Sequence, residues 1–231
     1  MIDRLAFALT RKKLIAFTFD DGPDEKTHAI LDLLDEHDAK ATFFVLGRQV
    51  KGREDVLRRA VEARHELGNH TFDHPHLETL EPAEIEEQLR RTSDAIESAV
   101  GFRPQLMRPP YGLGALKTAP VAARLGMKTV LWSVNPKDWE KPDPNQIVEA
   151  ITAGARPGAV VALHDGAARR GDRAPTVVAL ATVISRLERQ GYRFVTISTL
   201  LQLAPWIAPT VFPRPKGRLR RVVHRGRRLL R

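Results

Sequence analysis

A repeated switch between two hydrophobic periods restricts the fold of this chain more than any other feature. From Leu14 to Ile197, compact apolar runs of strand length alternate with amphipathic stretches of helix length. The spacing predicts strands at 14–19, 41–46, 67–70, 105–108, 128–134, 159–164 and 192–197. Helices are predicted at 26–37, 55–66, 82–100, 116–125, 145–153 and 175–190, with Gly68, Gly101, Gly126 and Gly191 read as their stop signals. A helix between successive strands carries the chain back across the sheet, so the strands run parallel. The predicted fold is therefore α/β, a distorted (β/α) barrel of about seven parallel strands, smaller than the usual barrel of about 250 residues. A doubly wound open sheet is the alternative. With 231 residues, 42% of them hydrophobic, the chain can bury a sizeable core.

Both architectures place functional groups at the carboxyl ends of the strands. The first strand there ends in Asp20-Asp21-Gly22-Pro23, the third in His70-Thr71-Phe72-Asp73-His74 and the fourth in Arg108-Pro109-Pro110-Tyr111-Gly112. The fifth runs into Asn135-Pro136-Lys137-Asp138-Trp139 and the sixth ends in Leu163-His164-Asp165. With no cysteine in the chain, a metal would need N and O ligands. His70 and His74, four apart, share a face if their segment is helical. Two histidines and one carboxylate leave an open position, the pattern of a catalytic rather than a structural zinc site. Against this stand a chance His pair and an Asp20-Asp21 turn that merely caps the next helix. The remaining histidines His28, His37, His65, His76 and His224 read as solvated helix or loop positions, and Asp73 and Asp165 as supporting or capping groups.

Taken in order, the motifs Thr18-Phe19-Asp20-Asp21-Gly22, His70-Thr71-Phe72-Asp73-His74, Arg108-Pro109-Pro110-Tyr111, Asp138-Trp139 and Leu163-His164 resemble those of the polysaccharide deacetylases, carbohydrate esterase family 4 or the NodB homology group. The resemblance implies a catalytic domain over residues 12–203 that hydrolyses N-acetyl groups from amino sugars of a glycan such as peptidoglycan or a chitin-type polymer. It implies Asp21, His70 and His74 as ligands of Zn²⁺, with Co²⁺ or Ni²⁺ tolerated, and Asp20 as general base. Arg108 would orient that base, the Tyr111 backbone N–H would support the oxyanion, and His164, tuned by Asp138, would be the general acid. Trp139, Leu163 and Pro110 would wall the pocket for the acetyl group. Asn135 departs from the family pattern, which carries a further Asp there, and predicts altered charge beside the pocket. A different linear or cyclic amide hydrolase on the same scaffold and a noncatalytic sugar-binding module are the competing readings. Intact Asp20 and His164 disfavour the second.

The net charge of +9 is concentrated at one end. Nine Lys or Arg and no acid fall between Arg214 and Arg231; removing them from the total of 37 leaves 28 basic residues against 28 acidic ones. The run from Ala204 to Pro215 holds Pro205, Pro209, Pro213 and Pro215 and predicts a linker. Residues 204–231 thus read as linker plus basic amphipathic tail, able to meet an anionic membrane or envelope surface. A tail, not a basic domain, argues against specific nucleic-acid recognition. No transmembrane segment and no secretory signal are predicted, which leaves cell-envelope association or the cytoplasm as expected locations.

Overall fold

The computed structural model describes residues 13–141, 143–166 and 172–203. Seven strands occur in them: β1 (Lys13–Asp20), β2 (Ala41–Val45), β3 (Glu66–Asn69), β4 (Leu106–Met107), β5 (Lys128–Thr129), β6 (Ala159–His164) and β7 (Tyr192–Phe194). Every pairing is parallel. The sheet order is β5-β4-β3-β2-β1-β6, and β7 pairs with the first residues of β1. Beyond β5 the chain leaves β4 and reaches β6 through a parallel bridge between Val134 and Val161. That bridge joins the two edges, so the sheet curls into a barrel with a thin seam. The seam is why the predicted strand 128–134 is a strand only at Lys128–Thr129.

Helices α1 (Glu25–Glu36), α2 (Gly47–Val50), α3 (Glu54–Glu62), α4 (Pro82–Val100), α5 (Ala115–Arg124), α6 (Pro144–Gly154) and α7 (Ala174–Arg189) link the strands, and α8 (Ile197–Leu203) follows β7. The cap of α1 is Asp24, whose side chain accepts from the Glu25 N–H while Thr27 Oγ1 accepts from the Asp24 N–H. Asp20 and Asp21 are thereby left for other work. Helix α3 ends at Glu62 rather than Glu66, because Arg64 takes φ 63° and turns the chain. Gly68 is not a helix stop. It lies inside β3, where a Cβ would come within 2.5 Å of the Phe44 ring. The predicted last strand ends at Phe194, and Ile197 begins α8 instead.

Period-two alternation divides the strands' side chains between two cores. Ile15, Phe17, Phe19, Val161 and Leu163 face the helices and pack with Leu180, Val183 and Ile184 of α7. Leu14, Ala16, Phe44, Leu106, Val130 and Val160 fill the barrel interior with Ile197 and Leu200 of α8. The even positions of β1 and β6 thus climb the inside of the barrel and end at Asp20 and His164, which sit opposite each other in register. No described helix is long and apolar enough to cross a membrane. The linker and tail expected at 204–231 lie outside the described residues.

Candidate active site

Asp20 is 4% exposed and its Oδ1 accepts from Arg108 Nη1 at 2.8 Å. Arg108 is fully buried, an unusual place for a guanidinium. The same Nη1 donates to Thr18 Oγ1 at 2.7 Å, Nη2 donates to the Leu131 carbonyl at 3.3 Å, and the group lies 4.2 Å over the Phe44 ring. Burial lowers the Arg108 pKa, and the charge and hydrogen bond of Asp20 work against that shift. The pair is a rigid clamp: every contact of the arginine fixes one orientation of one carboxylate.

Asp21 follows in the left-handed region at φ 74°. This turns its side chain from that of Asp20 toward His70 and His74. Its Oδ1 is 3.5 Å from His70 Nε2 and 3.3 Å from His74 Nε2. The segment carrying the histidines is not helical. Thr71 and His74 both have positive φ, Asn69 Oδ1 accepts from the Thr71 N–H at 2.9 Å, and Gln88 Oε1 of α4 accepts from the Phe72 and Asp73 N–H groups. A stapled turn, rather than a helical face, brings the two rings together. Burial lowers the pKa of each histidine to about 3, so both are neutral at pH 7. The Arg108 carbonyl, which can only accept, lies 2.8 Å from His70 Nδ1. The ring proton therefore sits on Nδ1 and the lone pair of Nε2 faces the Asp21 carboxylate. Two electron-rich atoms at that separation are accommodated by a cation between them. One ligand atom from each of the three residues lies within 4.8 Å of the others, so the donor set fits a divalent ion of the N/O-preferring class.

Across the barrel mouth, His164 Nδ1 meets Asp138 Oδ1 at 2.8 Å. Asp138 also accepts at Oδ2 from the His164 N–H (3.0 Å) and from Thr176 Oγ1 (2.8 Å). Burial opposes the charged form of His164, but the charge and hydrogen bond of Asp138, aided by Asp20 and Asp21, outweigh it and raise its pKa. For Asp138, burial favours the neutral acid, and the contacts with His164 and Thr176 more than reverse that. Beside them Asp165 is pushed up to about 7 by burial, against the lowering effect of a hydrogen bond from Thr27 Oγ1 at 2.6 Å. Asp165 therefore links β6 to α1 as a supporting group.

A cavity of about 360 Å³ collects Asp20, Asp21, His70, His74, Tyr111, Trp139 and His164 on its walls. Arg108 and Asp138 reach it through the residues they hold. Tyr111 has φ 59°, its ring packs 4.5 Å from that of His74, and His76 stacks on it at 4.3 Å. Trp139 meets the His164 ring edge-on at 4.9 Å. Leu163 and Pro110 do not line this cavity. Leu163 is in the core beneath the helices, because strand alternation turns it away from His164; its neighbour Ala162 lines the cavity instead. Sequence reasoning also missed Trp132, Lys137 and Arg173, which share the lining with Asn135. Trp132 falls at an even interior step beyond Val130, the one signal that could have found it. His65, expected at the surface, is 6% exposed, with Nδ1 accepting from the Ala41 N–H.

The sequence model of the polysaccharide deacetylase family matches residues 8–130. The chain is 40% identical over 188 residues to a chitooligosaccharide deacetylase of Bradyrhizobium sp., covering 77% of this chain and 86% of that one. It is 39% identical over 194 residues to a peptidoglycan-N-acetylglucosamine deacetylase of Bacillus cereus, covering 83% and 89%. Among solved structures it resembles the peptidoglycan deacetylase PdaC from Bacillus subtilis with a TM-score of 0.77 and 35% identity, covering 87% of this chain and 96% of that one. It spans 39% of a longer Listeria monocytogenes relative, PgdA, at 38% identity.

Proposed function

The chain belongs to the polysaccharide deacetylase family, and from that premise we propose that it is a carbohydrate N-deacetylase that releases acetate from N-acetylated amino sugars of a glycan, peptidoglycan or chitin-type. The observation that carries this reading is the placement of two prepared proton-transfer groups side by side at the ends of neighbouring strands on one cavity, Asp20 clamped by Arg108 and His164 held by Asp138. Asp21, His70 and His74 would hold one divalent ion, Zn²⁺ by the chemistry of the donors. When bound, that ion supplies Lewis acidity to the amide carbonyl and to the attacking water.

The chain's own groups do the rest. Asp20, oriented by Arg108, takes a proton from the water as its oxygen adds to the amide carbon. The Tyr111 backbone N–H, presented by the left-handed turn, donates to the oxygen on which negative charge develops. His164 has its Nδ1 proton committed to Asp138, so Nε2 carries the transferable proton and delivers it to the departing sugar nitrogen. The C–N bond breaks, and the products are acetate and a free amino sugar. Trp139 shields the reacting carbon from bulk water. The test is acetate release from N-acetylglucosamine oligomers and from peptidoglycan by the zinc-loaded protein, alongside Asp20→Asn. Release that the substitution lowers by about 100-fold or more supports the assignment; a variant as active as wild type would remove Asp20 from the role of base.

A further inference from the structure

Ala162 occupies the position where Leu163 was expected, and its size changes what the cavity can take. Asp20 is opposite His164 and Thr18 is opposite Ala162, so Thr18 and Ala162 form the next layer of the barrel interior beneath the two reacting groups. The Thr18 hydroxyl is already committed, donating to the Val161 carbonyl at 2.7 Å and accepting from Arg108 Nη1 at 2.7 Å. β6 contributes only a methyl to this layer. Trp132 and Trp139 line the same cavity, and the Trp132 ring packs close over Gly112, where a Cβ would come within 2.6 Å of Cη2. On the β6 side, the cavity wall below His164 is thus a single methyl, the smallest apolar side chain, on a cavity that Trp132 and Trp139 also line.

Resting on the deacetylase reading above, we propose that Ala162 sets the acyl specificity of the site, and that the chain deacylates amino sugars bearing N-acyl groups longer than acetyl, namely propionyl and butyryl, as well as acetyl. The acyl carbon must lie between Asp20, which activates the water, and His164, which protonates the nitrogen. With the sugar toward the open mouth, the alkyl end points into the Thr18–Ala162 layer. A branched side chain on that face of β6 would close the layer at the first methyl. The leucine beside it cannot do so, because it faces the helices.

The experiment compares kcat/KM for N-acetyl-, N-propionyl- and N-butyrylglucosamine oligomers on the zinc-loaded wild-type protein by amine release. In an apolar pocket closed at acetyl, each unaccommodated methylene costs about 10–200-fold. The proposal expects propionyl within about 10-fold of acetyl. A larger fall beside good acetyl turnover would overturn it while leaving the deacetylase reading intact, and would mean that the Trp132 ring already fills the space. No amine from any substrate would overturn both. Ala162→Leu should lower the propionyl-to-acetyl ratio of kcat/KM by about 10-fold or more, with Ala162→Val as the smaller change should the leucine variant fail to melt cooperatively. An unmoved ratio in the folded variant removes Ala162 as the determinant. Independently of turnover, butyrate should raise the melting temperature at least as much as acetate at equal concentration; a smaller rise contradicts the proposal.

Discussion

Replacing Asp138 by Asn would change one atom and disable the His164 proton. Asp138 accepts three hydrogen bonds: from the His164 N–H and Thr176 Oγ1 at Oδ2, and from His164 Nδ1 at Oδ1. In the variant the amide oxygen can keep the first two, which leaves the NH₂ facing Nδ1. A donor there forbids a proton on Nδ1 and so forbids imidazolium, while the carboxylate charge that raised the His164 pKa is also gone. General acid catalysis contributes about 10²–10⁴-fold, or about 2.7–5.4 kcal/mol of barrier. The loss in kcat/KM should fall in that range. The assay is the pH profile of amine release. An acid must be protonated to act, so activity falls as pH rises through the His164 pKa, and the variant should lose that limb or shift it to lower pH. Substrates with an acidic leaving amine, such as N-acetyl anilides, should lose less because they need less protonation. A variant within 10-fold of wild type with the limb unmoved would refute the reasoning.

Arg108→Met leaves the Asp20 carboxylate buried without its cation; removing one partner of a buried pair costs about 3–5 kcal/mol, which denaturant unfolding would register, and a variant as stable as wild type would show that the clamp is not structural. His65 gives a pH effect on stability. Burial lowers its folded pKa to about 4, so below about 6.5 the unfolded chain binds a proton that the folded one refuses. Its contribution is complete above that range, declines between pH 6.5 and 4, and amounts to about 3 kcal/mol at most. His65→Gln should flatten the stability curve in that window, and an unchanged slope would exclude His65 as the cause.

How much of this was legible in the sequence depends on the direction of the information. The switch of hydrophobic period located all seven strands, because it is a local property of the chain, and the helices between them implied that the strands run parallel. Asp20, Asp21, His70, His74, Arg108, Asp138 and His164 were legible because each follows a strand at its carboxyl end, where the architecture converges. Leu163 was misplaced because adjacency to His164 in sequence is opposition in a strand, so the residue that reaches the cavity is two back, not one. The last part of the fifth predicted strand leaves β4 for β6, a choice made by barrel closure that no local pattern encodes. His65 looked solvated because the partner of its ring, the Ala41 N–H, lies on another strand. Trp132 and Arg173 reach the cavity from outside any motif.

Activity titrated against metal tests the central claim most directly. Protein stripped by a chelator and given Zn²⁺ in increments, with amine release from N-acetylglucosamine oligomers as the readout, should gain activity linearly to one equivalent per chain and then level off. His74→Ala, folded by its melting transition, should show neither the rise nor the break. Full activity in the stripped protein, or a His74→Ala protein that titrates like wild type, would contradict the assignment of Asp21, His70 and His74 as the metal site of a glycan deacetylase.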